Sequence, residues 1–129
     1  MQLLAVPAGT QLSLRNPYAT EVITLLHIWL AAPDPVAAPR TEAFAYTFAG
    51  LAGQLAALVP GVLHLGCFGG RQEAVFRPQA GRLFAFVLAG AFELEGRLLH
   101  AYDGLALWEC PAAELEALSP DALVLVLEF

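Results

Sequence analysis

From Val62 to the C-terminus, apolar and polar positions alternate in short runs. VLHLGCF, EAVFR, LFAFVLA, AFELEG, RLLHA, LALWE, AELEAL and ALVLVLEF are separated by Gly-Gly, Pro-Gln-Ala-Gly, Gly, Asp-Gly and Ser-Pro-Asp. Short strands at regular spacing with turn residues between them predict a β-sandwich or barrel. AAELEALS is helical by propensity. Its strict alternation of Ala113, Leu115 and Ala117 against Glu114 and Glu116 instead predicts a half-buried strand.

The first half of the chain is less regular. QLLAV, QLSLR and EVITLLHIWL read as strands over residues 1–30, with a turn at Asn16-Pro17-Tyr18. EVITLLHIWL is apolar on both faces, as in a strand buried on both sides. Residues 31–61 read as a proline-rich connection; AAPDPVAAPR has no periodicity and predicts loop or extended chain. Within it, Leu51, Leu55 and Leu58 have helical spacing, but Gly50 and Gly53 weaken a helix there, so one short helix or helical turn is the most this region predicts.

Composition narrows the class. A chain of 129 residues is expected to form one domain with a real core. Hydrophobic residues make up 58%, more than a typical domain's roughly 45–50%. That excess fits a packed barrel, or a chain that hides apolar surface in an oligomer. The net charge is −6, and the 6 basic residues are all Arg. No basic patch for phosphates is present, so no nucleic-acid partner is expected. No apolar run is long enough for a membrane helix, and MQLLAVPAG lacks the positive start of a signal peptide. A cytoplasmic protein without a membrane partner is therefore expected. Cys67 and Cys110 have no CxxC spacing and read as two buried thiols rather than a disulfide.

The stretch RLFAFVLAGAFELEGRLLHAYDGLALW resembles the glycine skeleton of a cupin β-barrel. Gly90, Gly96 and Gly104 stand at the corner positions. The donors of the cupin metal site do not. The Glu position, seven residues before Gly90, is Leu83, and the His-x-His pair falls near Arg77 and Gln79. The second signature reads Gly96, Tyr102-Asp103-Gly104, Leu107 and Pro111, without its Pro, His and Asn. Iron, manganese or nickel needs converging imidazole and carboxylate donors, which leucine cannot supply. No metal or other cofactor is expected.

HLGCFGGRQE, FVLAGAFELEGRLLHAYDGLALWE and ELEALSPDALVLVLEF together resemble the C-terminal cupin domain of the pirin family, over about residues 62–129. LLHIWL is similar to the strand that closes the pirin N-terminal domain. The resemblance implies an all-β cupin fold: a double-stranded β-helix, or jelly-roll barrel, with at most one short helix. Pirins are two-cupin proteins whose metal sits in the N-terminal cupin, and some act as quercetin dioxygenases. The chain is similar to their second half standing alone, so no catalytic residue carries over.

Candidate site residues follow from single positions. His27, mid-strand in LLHIWL, is either a donor inside the barrel or a core histidine with one hydrogen-bond partner; the second is favoured, as it has no acidic or histidine neighbour. His64 and Cys67 are three apart on a strand and point to opposite faces. His100, Tyr102 and Asp103 cluster at a turn; they either hold a ligand at the barrel mouth or form a tight Asp-Gly turn, the simpler reading. Arg71 and Glu73 follow Gly69-Gly70. The loop either binds an anion or pairs Arg71 with Glu73 or Glu93, the favoured alternative. The expected function is a metal-free, non-catalytic module acting through homodimerisation or a cupin partner protein. The alternative is a small-molecule enzyme of the quercetin dioxygenase type, using His27, Glu73 or Tyr102 in the barrel cavity. A sensor of small ligands is a third. Phe84, Phe86, Phe92 and Trp108 would fill the interior it needs.

Overall fold

The computed structural model describes residues 2–30, 35–45 and 47–129, with backbone alone at 48 and 49. Residues 31–34 of the expected connection lie outside the described residues. The chain forms two compact units, Met1–Ala45 and Tyr46–Phe129.

Among the described residues of the first unit, β1 (Gln2–Ala5) and β2 (Arg40–Ala43) form an antiparallel strand pair, with Gln2 opposite Ala43 and Ala5 opposite Arg40. The turn at Asn16 forms as expected. Asn16 Oδ1 accepts the Tyr18 N–H at 3.0 Å, and Nδ2 donates to the Glu21 carbonyl at 2.7 Å, an Asx turn. The strands expected over 11–15 and 21–30 do not form. Val22 is 96% exposed and Trp29 68%. A β-branched, apolar composition favours a strand only when a partner strand and covering layers are supplied.

The second unit opens with a single 3₁₀ turn, Phe48–Leu51, within the one short helix or helical turn expected here. Strand β3 (Leu55–Val59) follows at once. Gly53 has φ of +68°, a left-handed turn that separates the two. The remaining strands fall where the alternation predicts: β4 (Leu63–Phe68), β5 (Glu73–Phe76), β6 (Leu83–Ala89), β7 (Ala91–Leu94), β8 (Arg97–His100), β9 (Gly104–Leu107), β10 (Ala113–Ala117) and β11 (Ala122–Glu128).

They form a four-stranded sheet, β5-β10-β7-β8, and a five-stranded sheet, β3-β4-β11-β6-β9, and neither closes on itself. All pairings between the strands of these sheets are antiparallel. Phe68, Leu83, Ala85, Val87, Val124 and Val126 of the larger sheet pack with Phe92, Leu94, Leu99, Leu115 and Ala117 of the smaller. The Phe68 and Phe92 rings meet edge-to-face at 5.8 Å, and burying each stabilises the sandwich by about 1.5–3 kcal/mol.

Phe84 and Phe86 share a face, with ring centroids 6.4 Å apart, but it is not the core face; β6 buries Leu83, Ala85 and Val87 inward. Trp108, expected inside, is 62% exposed. Only Phe92 of the four aromatics fills the interior. LFAFVLA is apolar at every position, so hydrophobicity cannot choose between its two phases. Size does: Phe84 Cζ would lie 2.7 Å from a Cβ at Gly104, so the outer face has room for that ring only because residue 104 has no side chain.

Candidate functional site

Strand register brings the expected metal positions to one end of the sandwich. Leu83 on β6 lies opposite Leu107 on β9 and, on its other side, opposite Glu128 on β11. Leu83 is 1% exposed. The Gln79 N–H donates to Glu128 Oε2 at 2.6 Å. His64 joins this end from β4, with Nε2 3.7 Å from Glu128 Oε1 and its ring 4.8 Å from Phe76 across the sandwich. The two side chains are 11% and 6% exposed. Burial holds the His64 pKa below its usual 6.5, and the Glu128 carboxylate opposes that shift. His64 Nδ1 is buried with no hydrogen-bond partner among the described residues.

Sequence spacing does not reveal this pair: His64 has Cys67 as its near neighbour, whereas its partner lies 64 residues on, reached through β4–β11 pairing. The one signal available was that Leu63 and Leu65 alternate with His64, which sets His64 on the face opposite those leucines.

A second feature is an open groove of about 380 Å³ on the four-stranded sheet, lined by Glu73, Glu93, Glu95, Glu114 and Glu116 with Gly96. Glu116 on β10 stands in register with Glu73 on one side and Glu93 on the other. Like charges directly opposite destabilise a strand pair. Arg71 Nη1 offsets part of this, 2.9 Å from Glu116 Oε1, but it is 81% exposed, so the ion pair contributes less than about 1 kcal/mol. Arg71 therefore takes the glutamate between the two expected partners. Glu95 Oε1 accepts the Glu114 N–H at 2.7 Å. The Gly69 N–H goes to Gln72 Oε1 at 2.7 Å rather than being left for an anion.

Of the expected site residues, Glu73, His100 and Tyr102 belong to the second unit, where Glu73 lines the groove, and His27 belongs to the first. His27 is exposed in the first unit, its ring tilted against Trp29 with centroids 5.1 Å apart, and is in no strand. Glu73 and His100 lie on opposite edge strands of the four-stranded sheet, both exposed. Tyr102 is 74% exposed with φ of 73°. The turn is held by Asp103, whose Oδ2 accepts the His100 N–H at 2.8 Å, the structural alternative for this cluster. Alternation explains the outcome: Leu99 is the inward residue of β8, so His100 faces out. Cys110 is buried and Cys67 half-buried, both free.

Two solved structures share this architecture. The crystal structure of YhhW from Escherichia coli matches with a TM-score of 0.59 and 21% identity, covering 75% of this chain and 46% of that one. The crystal structure of bacterial pirin YhhW in complex with nickel(II), also from Escherichia coli, matches with a TM-score of 0.58 and 20% identity, covering 74% and 46%. KdgF from Halomonas sp. matches with a TM-score of 0.43 and 28% identity over 57% of this chain and 73% of that one. No family model matches the chain, and no curated protein does. The fold is a cupin jelly roll, and its structural likeness is to a pirin. The chain spans less than half of the YhhW length.

Arg77, Gln79, Leu83 and Leu107 occupy the expected donor positions, and the two leucines face the core. His64 and Glu128 supply one imidazole and one carboxylate. Among the described residues no group of three or more His, Cys, Asp or Glu could hold a metal ion. No helix among them is long and apolar enough to cross a membrane.

Proposed function

We propose that the protein is a pirin-like cupin domain that works without a transition metal, as a non-catalytic binding or oligomerisation module. The observation that carries this is Leu83, which stands at the carboxylate position of the cupin metal site and is buried in the apolar core. A packed interior led by Phe68, Phe92, Leu83 and Leu94 also supports it, since these side chains fill the space a substrate would need. Exposed apolar side chains in both units favour association with a second copy of the chain. The two free thiols fit a reducing compartment such as the cytoplasm.

The test is the metal content of untagged protein purified without chelator. The expected result is no stoichiometric transition metal. One tightly held iron, nickel or manganese per chain would overturn the reading and return the enzyme alternative.

A further inference from the structure

We propose that residues Val22–Leu30 form the contact through which two copies of the chain associate. The inference rests on the oligomerisation reading above and names its surface. VITLLHIWL carries no acidic residue and no arginine. Val22, Leu25, Leu26, Trp29 and Leu30 are 96, 55, 49, 68 and 43% exposed, and Ile23 is 38% exposed. These six side chains are large and apolar, and one is a Trp, the composition of an interface core, where aromatic residues are enriched and charged ones depleted.

The backbone is also available. Among the described residues of 21–30, the Glu21 carbonyl alone accepts a hydrogen bond, from the Asn16 side chain. The run is self-complementary. An antiparallel pairing about a two-fold axis at Leu26 sets Val22 opposite Leu30, Ile23 opposite Trp29, Thr24 opposite Ile28, Leu25 opposite His27 and Leu26 opposite itself. Apolar positions then meet apolar or neutral ones along the whole length, with aromatic and β-branched residues as cross-strand pairs. Glu21 falls outside the paired run, so no like charges face each other. A two-fold contact of this kind closes on itself and stops at the dimer.

The experiment uses the full chain and light scattering from low to high micromolar concentration. The wild type is expected to be a dimer, Leu26→Lys a monomer that retains the β signal of the core in far-UV circular dichroism, and Tyr102→Ser, at an exposed site elsewhere, still a dimer. Leu26→Cys supplies a gain of signal that survives a loss of stability: mild oxidation should cross-link it into covalent dimers, well above the wild-type background from Cys67 and Cys110. A dimeric wild type in which Leu26→Lys remains dimeric and Leu26→Cys does not cross-link overturns this contact while leaving oligomerisation intact. A wild type that stays monomeric, with or without capture of a separate cupin partner, overturns both.

Discussion

His64 Nε2 lies 3.7 Å from Glu128 Oε1, at the end of the sandwich where Glu128 stands opposite Leu83. Burial favours the neutral imidazole, and the neighbouring carboxylate only partly offsets that. The unfolded chain, with an ordinary histidine, binds more protons between the folded pKa and 6.5. His64 therefore contributes stability that is fully present above about pH 6.5 and lost as pH falls through the window below it. The slope from this one group is at most about 1.4 kcal/mol per pH unit. Urea midpoints between pH 5.5 and 8 should decline below 6.5 in the wild type, and His64→Gln should flatten that decline. An equal slope in both proteins would show that His64 does not set it.

Two glycines at strand ends separate backbone freedom from space. Gly90 and Gly96 have φ of +74° and +69°. A Cβ at Gly90 would lie 2.3 Å from Ser119 Oγ, the group that accepts the Ala91 N–H at 3.0 Å, whereas Gly96 has nothing within 4 Å. Gly96→Ala should cost about 1 kcal/mol, for the left-handed backbone alone. Gly90→Ala should cost about 2–3 kcal/mol, because it adds a collision and displaces a hydrogen-bonded serine. Chemical denaturation of the two variants checks the ranking.

Strand positions after residue 62 were legible because the signals are local: alternation and turn residues act within a few positions. Ala113–Ala117 is a case in point, where alternation overrode a helical composition. What the sequence did not disclose depends on partners distant in the chain. EVITLLHIWL has the composition of a buried strand, but whether it finds a sheet is not written in its ten residues. The His64–Glu128 pair needs the β4–β11 register, and the row of Glu73, Glu116 and Glu93 needs two registers at once. That Leu83 cannot donate to a metal was legible, because ligand chemistry excludes leucine whatever the fold around it.

The phase of β6 has its own test. Phe92→Ala opens a cavity in the interior beside Phe68 and should cost about 3–5 kcal/mol. Phe84→Ala removes a half-buried ring from the outer face and should cost about 1–2 kcal/mol. Equal losses would mean that both rings are core residues, contrary to the inward placement of Leu83, Ala85 and Val87.

The acidic groove makes the last prediction. Glu116 faces Glu73 and Glu93 in register, and the cation paired with it, Arg71, is largely exposed. Glu93 has no ion pair among the described residues, so it contributes repulsion to the row without a compensating contact. Glu93→Gln should raise stability by about 0.5 kcal/mol at low ionic strength. The gain should shrink as salt shortens the screening length from about 30 Å at 0.01 M to about 3 Å at 1 M. Glu116→Gln removes the same repulsion together with the Arg71 pair, and its net effect should be smaller. Urea midpoints of the wild type and both variants, measured at low and high salt, read this directly. A Glu93→Gln gain that persists in 1 M salt would show that packing on the sheet face, rather than charge, sets the stability of this row.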